Sequence, residues 1–228
     1  MNVSTTRIAG IALALVTSLA GCSTLFGQSN ELQRLQARAA FERGVKSFEA
    51  REASTALASL REAVALDPAS ALYRDTLGVV LSQLRRPDLA LEQFQEAVSL
   101  DPQFADAHFH LGVALAESKQ WAEAAAAYRK ALALPTLSVP DLAYQNLGLA
   151  LYHLRQYAEA ERELRFAISL SPELQAAYYH LGLVLAAARQ LDEARGAFSR
   201  AVALGPDTPF GEAAGLRLKT LGEEPSRP

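Results

Sequence analysis

Ala105 to Pro135 reads ADAHFHLGVALAESKQWAEAAAAYRKALALP. It contains two segments with helical apolar spacing and a short polar break between them. Within the first lies the pair Leu111-Gly112. Ala124, the bulky Tyr128 and Ala131 follow in the second segment, which closes on Leu134 and Pro135. Small residues at Gly112, Ala124 and Ala131 allow two helix backbones to approach closely. The proline ends the second helix, because it has no N–H to donate and restrains the residue before it.

The same pattern extends in both directions. Gly44, Gly78, Gly112, Gly148 and Gly182 are spaced by 34, 34, 36 and 34 residues. Each is followed twelve residues later by an alanine: Ala56, Ala90, Ala124, Ala160 and Ala194. Seven residues further on stand Ala63, Ala97, Ala131, Ala167 and Ala201, with Leu60, Phe94, Tyr128, Leu164 and Phe198 between the two alanines. Leu66, Leu100, Leu134, Leu170 and Leu204 close each unit, and Pro68, Pro102, Pro172 and Pro206 follow. The third unit departs from this, with its Pro135 one residue early and two extra residues after it. A fixed period of this length indicates stacked units, each with more apolar surface than one helix pair can bury.

These residues resemble the tetratricopeptide repeat, a helix–turn–helix unit of 34 residues. The resemblance implies an all-α, right-handed superhelical solenoid. Five repeats occupy 37–70, 71–104, 105–140, 141–174 and 175–208, within a repeat region spanning 31–208. The first is degenerate, with Arg43 in place of the leucine before Gly44, as suits a unit with one open face. Its first helix is expected to start at Glu31, with Asn30 as N-cap and Gln33 as its capping-box partner. Residues 209–222 read as one further amphipathic helix covering the last repeat, with Gly222 as its C-cap, and 223–228 as a frayed tail. Leu134 to Pro140 is the irregular junction, expected to form a longer loop.

Upstream of the repeats, Arg7 precedes an apolar run from Ile8 to Val16, which can be carried on at most to Ala20. The run is too short to span a bilayer, which takes about 20 apolar residues. A charged start, a short apolar centre and small residues read as a secretory leader over 1–21. Leu19-Ala20-Gly21-Cys22 resembles a bacterial lipobox, and Cys22 is the sole cysteine. The resemblance implies cleavage after Gly21 and lipid on Cys22, stable when more than one acyl chain is attached. Ser23 after the cysteine implies sorting to the periplasmic face of the outer membrane. Residues 22–30 are then a tether, whose eight residues after Cys22 reach about 26–29 Å when extended. Loss of Arg7 with the leader takes the net charge from −3 to −4.

Composition narrows the function. Half of the residues are hydrophobic, which excludes wholesale disorder. One cysteine excludes a disulfide scaffold or a cysteine-rich zinc module. With 22 basic against 25 acidic side chains, no basic footprint for nucleic acid is present. Among the four histidines, His108 and His110 stand two apart on a helix and face differently from each other. No metalloprotease, nucleophile-elbow or phosphate-loop motif occurs, and Glu92, Glu96, Glu161 and Glu163 read as solvated helix faces. The sequence therefore calls for no enzyme activity, cofactor or metal.

In this repeat family the first helix of each pair lines a groove. The positions carried over are Phe41, Val45 and Phe48 in repeat one, and Leu72 and Val79 in repeat two. Repeat three supplies Phe109 and Val113; repeat four Leu142, Leu149 and Tyr152; repeat five Tyr179 and Leu183. Beside them His110, Asn146 and His180 form a polar ladder. The family's carboxylate clamp requires Lys, Asn and Arg where this chain has Phe41, Val45, Asp106 and His110, so acidic chaperone tails are not its partners. An apolar strip of this kind suits a protein partner. The alternative is packing against neighbouring repeats, or against Leu25 and Phe26 of the tether.

Leader, lipobox, repeats and the stretch PDLAYQNLGLA (Pro140 to Ala150) together resemble the tetratricopeptide lipoproteins called pilotins, of type IV pilus biogenesis. The resemblance implies a scaffold that assists assembly or stability of the secretin, the outer-membrane pilus pore. The chain departs from that pattern in its sixth unit, which is a single helix. Envelope adaptors for peptidoglycan enzymes, β-barrel assembly or polysaccharide export remain the alternative.

Overall fold

A computed structural model describes residues 30–223. The leader, Cys22 and the tether up to residue 29, and the tail from 224, lie outside the described residues. Eleven helices and no strands occur among the described residues. They are α1 (30–49), α2 (Ala53–Leu66), α3 (Ala71–Gln83), α4 (Pro87–Leu100), α5 (Ala105–Glu117) and α6 (Trp121–Leu132), followed by α7 (Pro140–His153), α8 (Tyr157–Leu170), α9 (Gln175–Ala187), α10 (Leu191–Leu204) and α11 (Pro209–Glu223). The odd-numbered helices are the first members of the repeats and the even-numbered ones the second. No described helix is long and apolar enough to cross a membrane.

Alanine, leucine and long polar side chains give every helix favourable intrinsic propensity. The helices from α4 to α10 for which a cap is resolved have no side-chain N-cap bond. Helix ends are organised instead by the turn inside each repeat. Arg51, Arg85, Lys119, Arg155 and Arg189 all have left-handed backbones, with φ between 57 and 66°. Each donates its N–H three residues back, and the next residue donates five back, as in Lys119 to Ala116 at 2.9 Å and Gln120 to Leu115 at 2.9 Å. This is the Schellman end, which usually takes glycine. Here it takes a cation, which complements the negative end of the helix.

The chain divides into two compact units, one ending at Val80 and the next beginning at Leu81. In the first, a Cβ on Gly44 would lie 2.7 Å from Leu60 Cγ, so glycine alone lets α1 and α2 cross there. Gln33 Nε2 donates to Leu66 O at 2.9 Å. Asn30 already lies inside α1. Both points correct the expected cap: Asn30 is not the N-cap, and Gln33 reaches across to the end of α2. Arg43 Nη2 meets Glu62 Oε2 at 2.7 Å, which explains a charged side chain where later repeats have leucine. Phe41 stacks on Tyr73 at 4.7 Å.

In the second unit each helix packs on its sequence neighbours, and the first helices α5, α7, α9 and α11 also touch in succession. Such nearest-neighbour burial is what repeat stacking requires. A Cβ on Gly112 would lie 2.5 Å from Tyr128, one on Gly148 2.5 Å from Leu164, and one on Gly182 2.5 Å from Phe198. Ala124, Ala131, Ala160, Ala167, Ala194 and Ala201 are wholly buried at the same crossings. The helix α11 packs against α9 and α10. It begins on Thr208, whose hydroxyl accepts from Gly211 N at 3.1 Å. Gln175 Nε2 ties the α10 end by donating to Ala201 O and Gly205 O, at 2.7 and 2.8 Å. Gly222 lies within α11, which runs to Glu223, so the expected C-cap is not there.

The irregular junction is anchored. Ser138 donates its backbone N–H and its hydroxyl to Asp106 Oδ1, at 3.0 and 2.8 Å. Pro140 then opens α7 at its first turn, where a missing N–H costs nothing.

Candidate functional site

The residues carried over as a groove lie on the odd-numbered helices. In the first unit Phe41, Val45, Phe48 and Val79 are half-buried, and Leu72 is 48% exposed. In the second, Val113, Leu142, Leu149, Tyr152, Tyr179 and Leu183 are half-buried. Residues from α5, α7 and α9 thus form an apolar surface along helices in mutual contact. A half-buried apolar side chain keeps part of its area for a partner, which a core residue does not.

Phe109 is the exception. It is only 8% exposed, with its ring centroid 6.0 Å from Tyr128. It is a core residue of the third repeat, because it lies over the large side chain that faces Gly112. Tyr179 holds the equivalent place in the fifth repeat. It reaches Phe198 at 6.0 Å and Phe210 of α11 at 5.7 Å, yet remains half-buried.

The polar ladder is uneven. Asn146 Oδ1 accepts from Gln145 Nε2 at 2.9 Å. His110 is half-buried with Phe94 and Phe109 at 5.5 and 5.7 Å. His180 is 7% exposed. Phe210 meets it edge-on at 5.7 Å, and its Nδ1 is buried without a hydrogen-bond partner. Burial pushes the His180 imidazole down to about 4, because the charged form would lose its hydration. It is therefore a neutral member of an aromatic cluster rather than a rung exposed to a partner.

Several other titratable groups are engaged within the fold. His153 lies flat on Trp121, with ring centroids 3.9 Å apart, and burial lowers its pKa. His108 Nε2 sits 3.1 Å from Pro102 O. Glu161 pairs with Arg165 at 2.9 Å and Glu163 with Arg162 at 2.8 Å. Among the described residues no group of three or more His, Cys, Asp or Glu could hold a metal ion. Phe41 and Asp106, at two of the clamp positions, are engaged with Tyr73 and Ser138.

One feature gave no signal in the sequence. A cleft of about 270 Å³ joins Tyr152 and Leu183 of this surface to Leu191, Leu221 and two arginines, Arg189 and Arg217. Arg189 lies in a turn and Arg217 on the last helix, and no spacing rule links them.

The sequence matches the tetratricopeptide repeat family over residues 76–137 and 146–209, more than half of the chain. No curated protein sequence matches it. Several solved structures share the fold. A MamA protein is 25% identical, with 74% of this chain and 91% of that chain covered and a TM-score of 0.67. YrrB, described as a tetratricopeptide protein with an unusual peptide-binding site, is 20% identical, with 84% and 97% covered and a TM-score of 0.69. PilW, described as a widely conserved type IV pilus biogenesis factor, is 23% identical, with 81% and 92% covered and a TM-score of 0.66.

Proposed function

The chain belongs to the tetratricopeptide-repeat family, a family of protein-interaction scaffolds, and we propose that it serves as a lipid-anchored scaffold assisting the type IV pilus secretin. The observation that carries the scaffold reading is the half-buried apolar surface on α5, α7 and α9, formed by Val113, Leu142, Leu149, Tyr152, Tyr179 and Leu183. A surface of this kind accepts a segment with apolar anchors.

The pilus reading rests on the likeness of fold to PilW and on the leader and lipobox ending in Cys22. In this reading Cys22 carries the lipid and holds the repeats at the periplasmic face of the outer membrane. The secretin is the partner.

Deleting the gene and restoring it with wild type or Cys22→Ser tests this. Assembled secretin in the outer membrane should fall in the deletion and recover only with wild type. The Cys22→Ser protein should leave the outer-membrane fraction. Unchanged secretin in the deletion strain would overturn the pilus reading. Retention of Cys22→Ser in that fraction would overturn the anchor.

A further inference from the structure

The cleft at the end of the apolar surface is lined by two arginines. It holds about 270 Å³ between α9, α10 and α11, and Tyr152 reaches it from α7. Leu183, Leu191 and Leu221 supply apolar wall, Arg189 and Arg217 line it as well, and no acidic residue does among the described residues. The cavity beside α8 and α10 is also lined by two arginines, Arg165 and Arg200, but those have partners. Arg165 meets Glu193 at 2.7 Å and Arg200 meets Glu173 at 3.8 Å.

Arg189 and Arg217 have no ion pair among the described residues. The acids next to Arg189 in sequence are taken elsewhere: Asp192 by Arg195 at 2.8 Å and Glu193 by Arg165. Both cations have fixed bases. Arg189 N donates to Ala186 O at 3.1 Å, and Gln190 N to Leu185 O at 2.9 Å. The end of α11 is held by Arg195 Nη2, which donates to Leu221 O at 2.8 Å. Two guanidiniums lining one small cleft favour an anion there. A carboxylate offers each of them a charge-assisted hydrogen bond, and the leucines beside them offer apolar contact to its neighbour.

We infer that this cleft binds a segment of a partner protein in which a carboxylate side chain adjoins a large apolar one. The inference rests on the reading of the apolar surface as a protein contact and adds a sequence requirement to it. The acid lies between Arg189 and Arg217, and the apolar neighbour packs on Leu183, Leu191 and Leu221. The site is separate from the carboxylate clamp, which would lie on Phe41, Val45, Asp106 and His110.

Panning a random dodecapeptide library on the purified chain tests it, in parallel with the Arg189→Glu/Arg217→Glu variant. If circular dichroism shows that variant to be misfolded, Arg217→Gln takes its place, since Arg217 is exposed. Wild type should enrich Asp or Glu beside Phe, Leu or Ile at least tenfold. The double variant should lose this and enrich Lys or Arg in its place, and Arg217→Gln should weaken the acidic preference at least threefold. Failure to enrich acidic peptides, or equal enrichment by wild type and variant, would overturn the inference. Apolar peptides that are lost with Leu149→Asp but indifferent to both arginines would keep the protein-binding surface and remove this site.

Discussion

At the residue scale, Gly112, Gly148 and Gly182 face Tyr128, Leu164 and Phe198 so closely that a Cβ would sit 2.5 Å away in each case. Gly112→Leu should therefore destabilise the fold by about 1–3 kcal/mol through overpacking, measured by urea unfolding. A loss below a few tenths of a kcal/mol would mean that the crossing is loose. This contact was legible in the sequence because glycine and bulky residue recur at fixed offsets. His180 was not. Its position beside Tyr179 reads as polar, yet Phe210 of α11 covers it. Its pH behaviour follows from that burial. The folded pKa of about 4 lies below the ordinary 6.5, so between those values the unfolded chain binds the extra proton. Stability then rises with pH across that window and is lost as pH falls from 6.5 towards 4. The contribution is on the order of 3 kcal/mol. Unfolding of His180→Asn, which takes the side chain found at Asn146, should show a shallower acid loss than wild type. Parallel curves would contradict the assignment.

At the element scale, the turns show where sequence reading stops. The helix ends at Arg51, Arg85, Lys119, Arg155 and Arg189 are left-handed, but arginine and lysine do not announce that geometry as glycine would. The cap expected at Asn30 failed for a related reason. A Ser, Thr, Asp or Asn with Gln or Glu three residues on is a local signal, whereas Gln33 is engaged by the end of α2, 33 residues away. The junction between Leu134 and Pro140 was visible as a break in the period. Its anchor was not, because Asp106 and Ser138 are 32 residues apart. Removing that anchor with Asp106→Ala should cost roughly 1 kcal/mol and should be non-additive with Ser138→Ala in a double-mutant cycle. Full additivity would show that the two side chains act independently.

For the whole molecule, five repeats and a closing helix were legible because a solenoid writes its packing once per period. The last helix buries Ala214 and Leu221 against the fifth repeat and leaves Leu216 65% exposed. Removing residues 209–228 should uncover α9 and α10, lower the thermal midpoint and promote self-association in size-exclusion chromatography. An unchanged midpoint and elution volume would show that α11 is not the cap. The half-buried apolar surface was legible only in part. Carrying positions over repeat by repeat picked out Leu142, Leu149 and Leu183, which are half-buried, but it could not separate Phe109, which the neighbouring Tyr128 draws into the core. It was equally blind to the cleft closed by Arg217. The central claim is that the half-buried apolar face of α5, α7 and α9 is where a partner protein binds. A photo-crosslinking side chain placed at Leu149, with Ser199 on the exposed side of α10 as the control, tests it in living cells. The account predicts a discrete crosslinked protein from Leu149, absent from Ser199 and identified by mass spectrometry as the secretin. The same adducts from both positions, or none from Leu149, would contradict it.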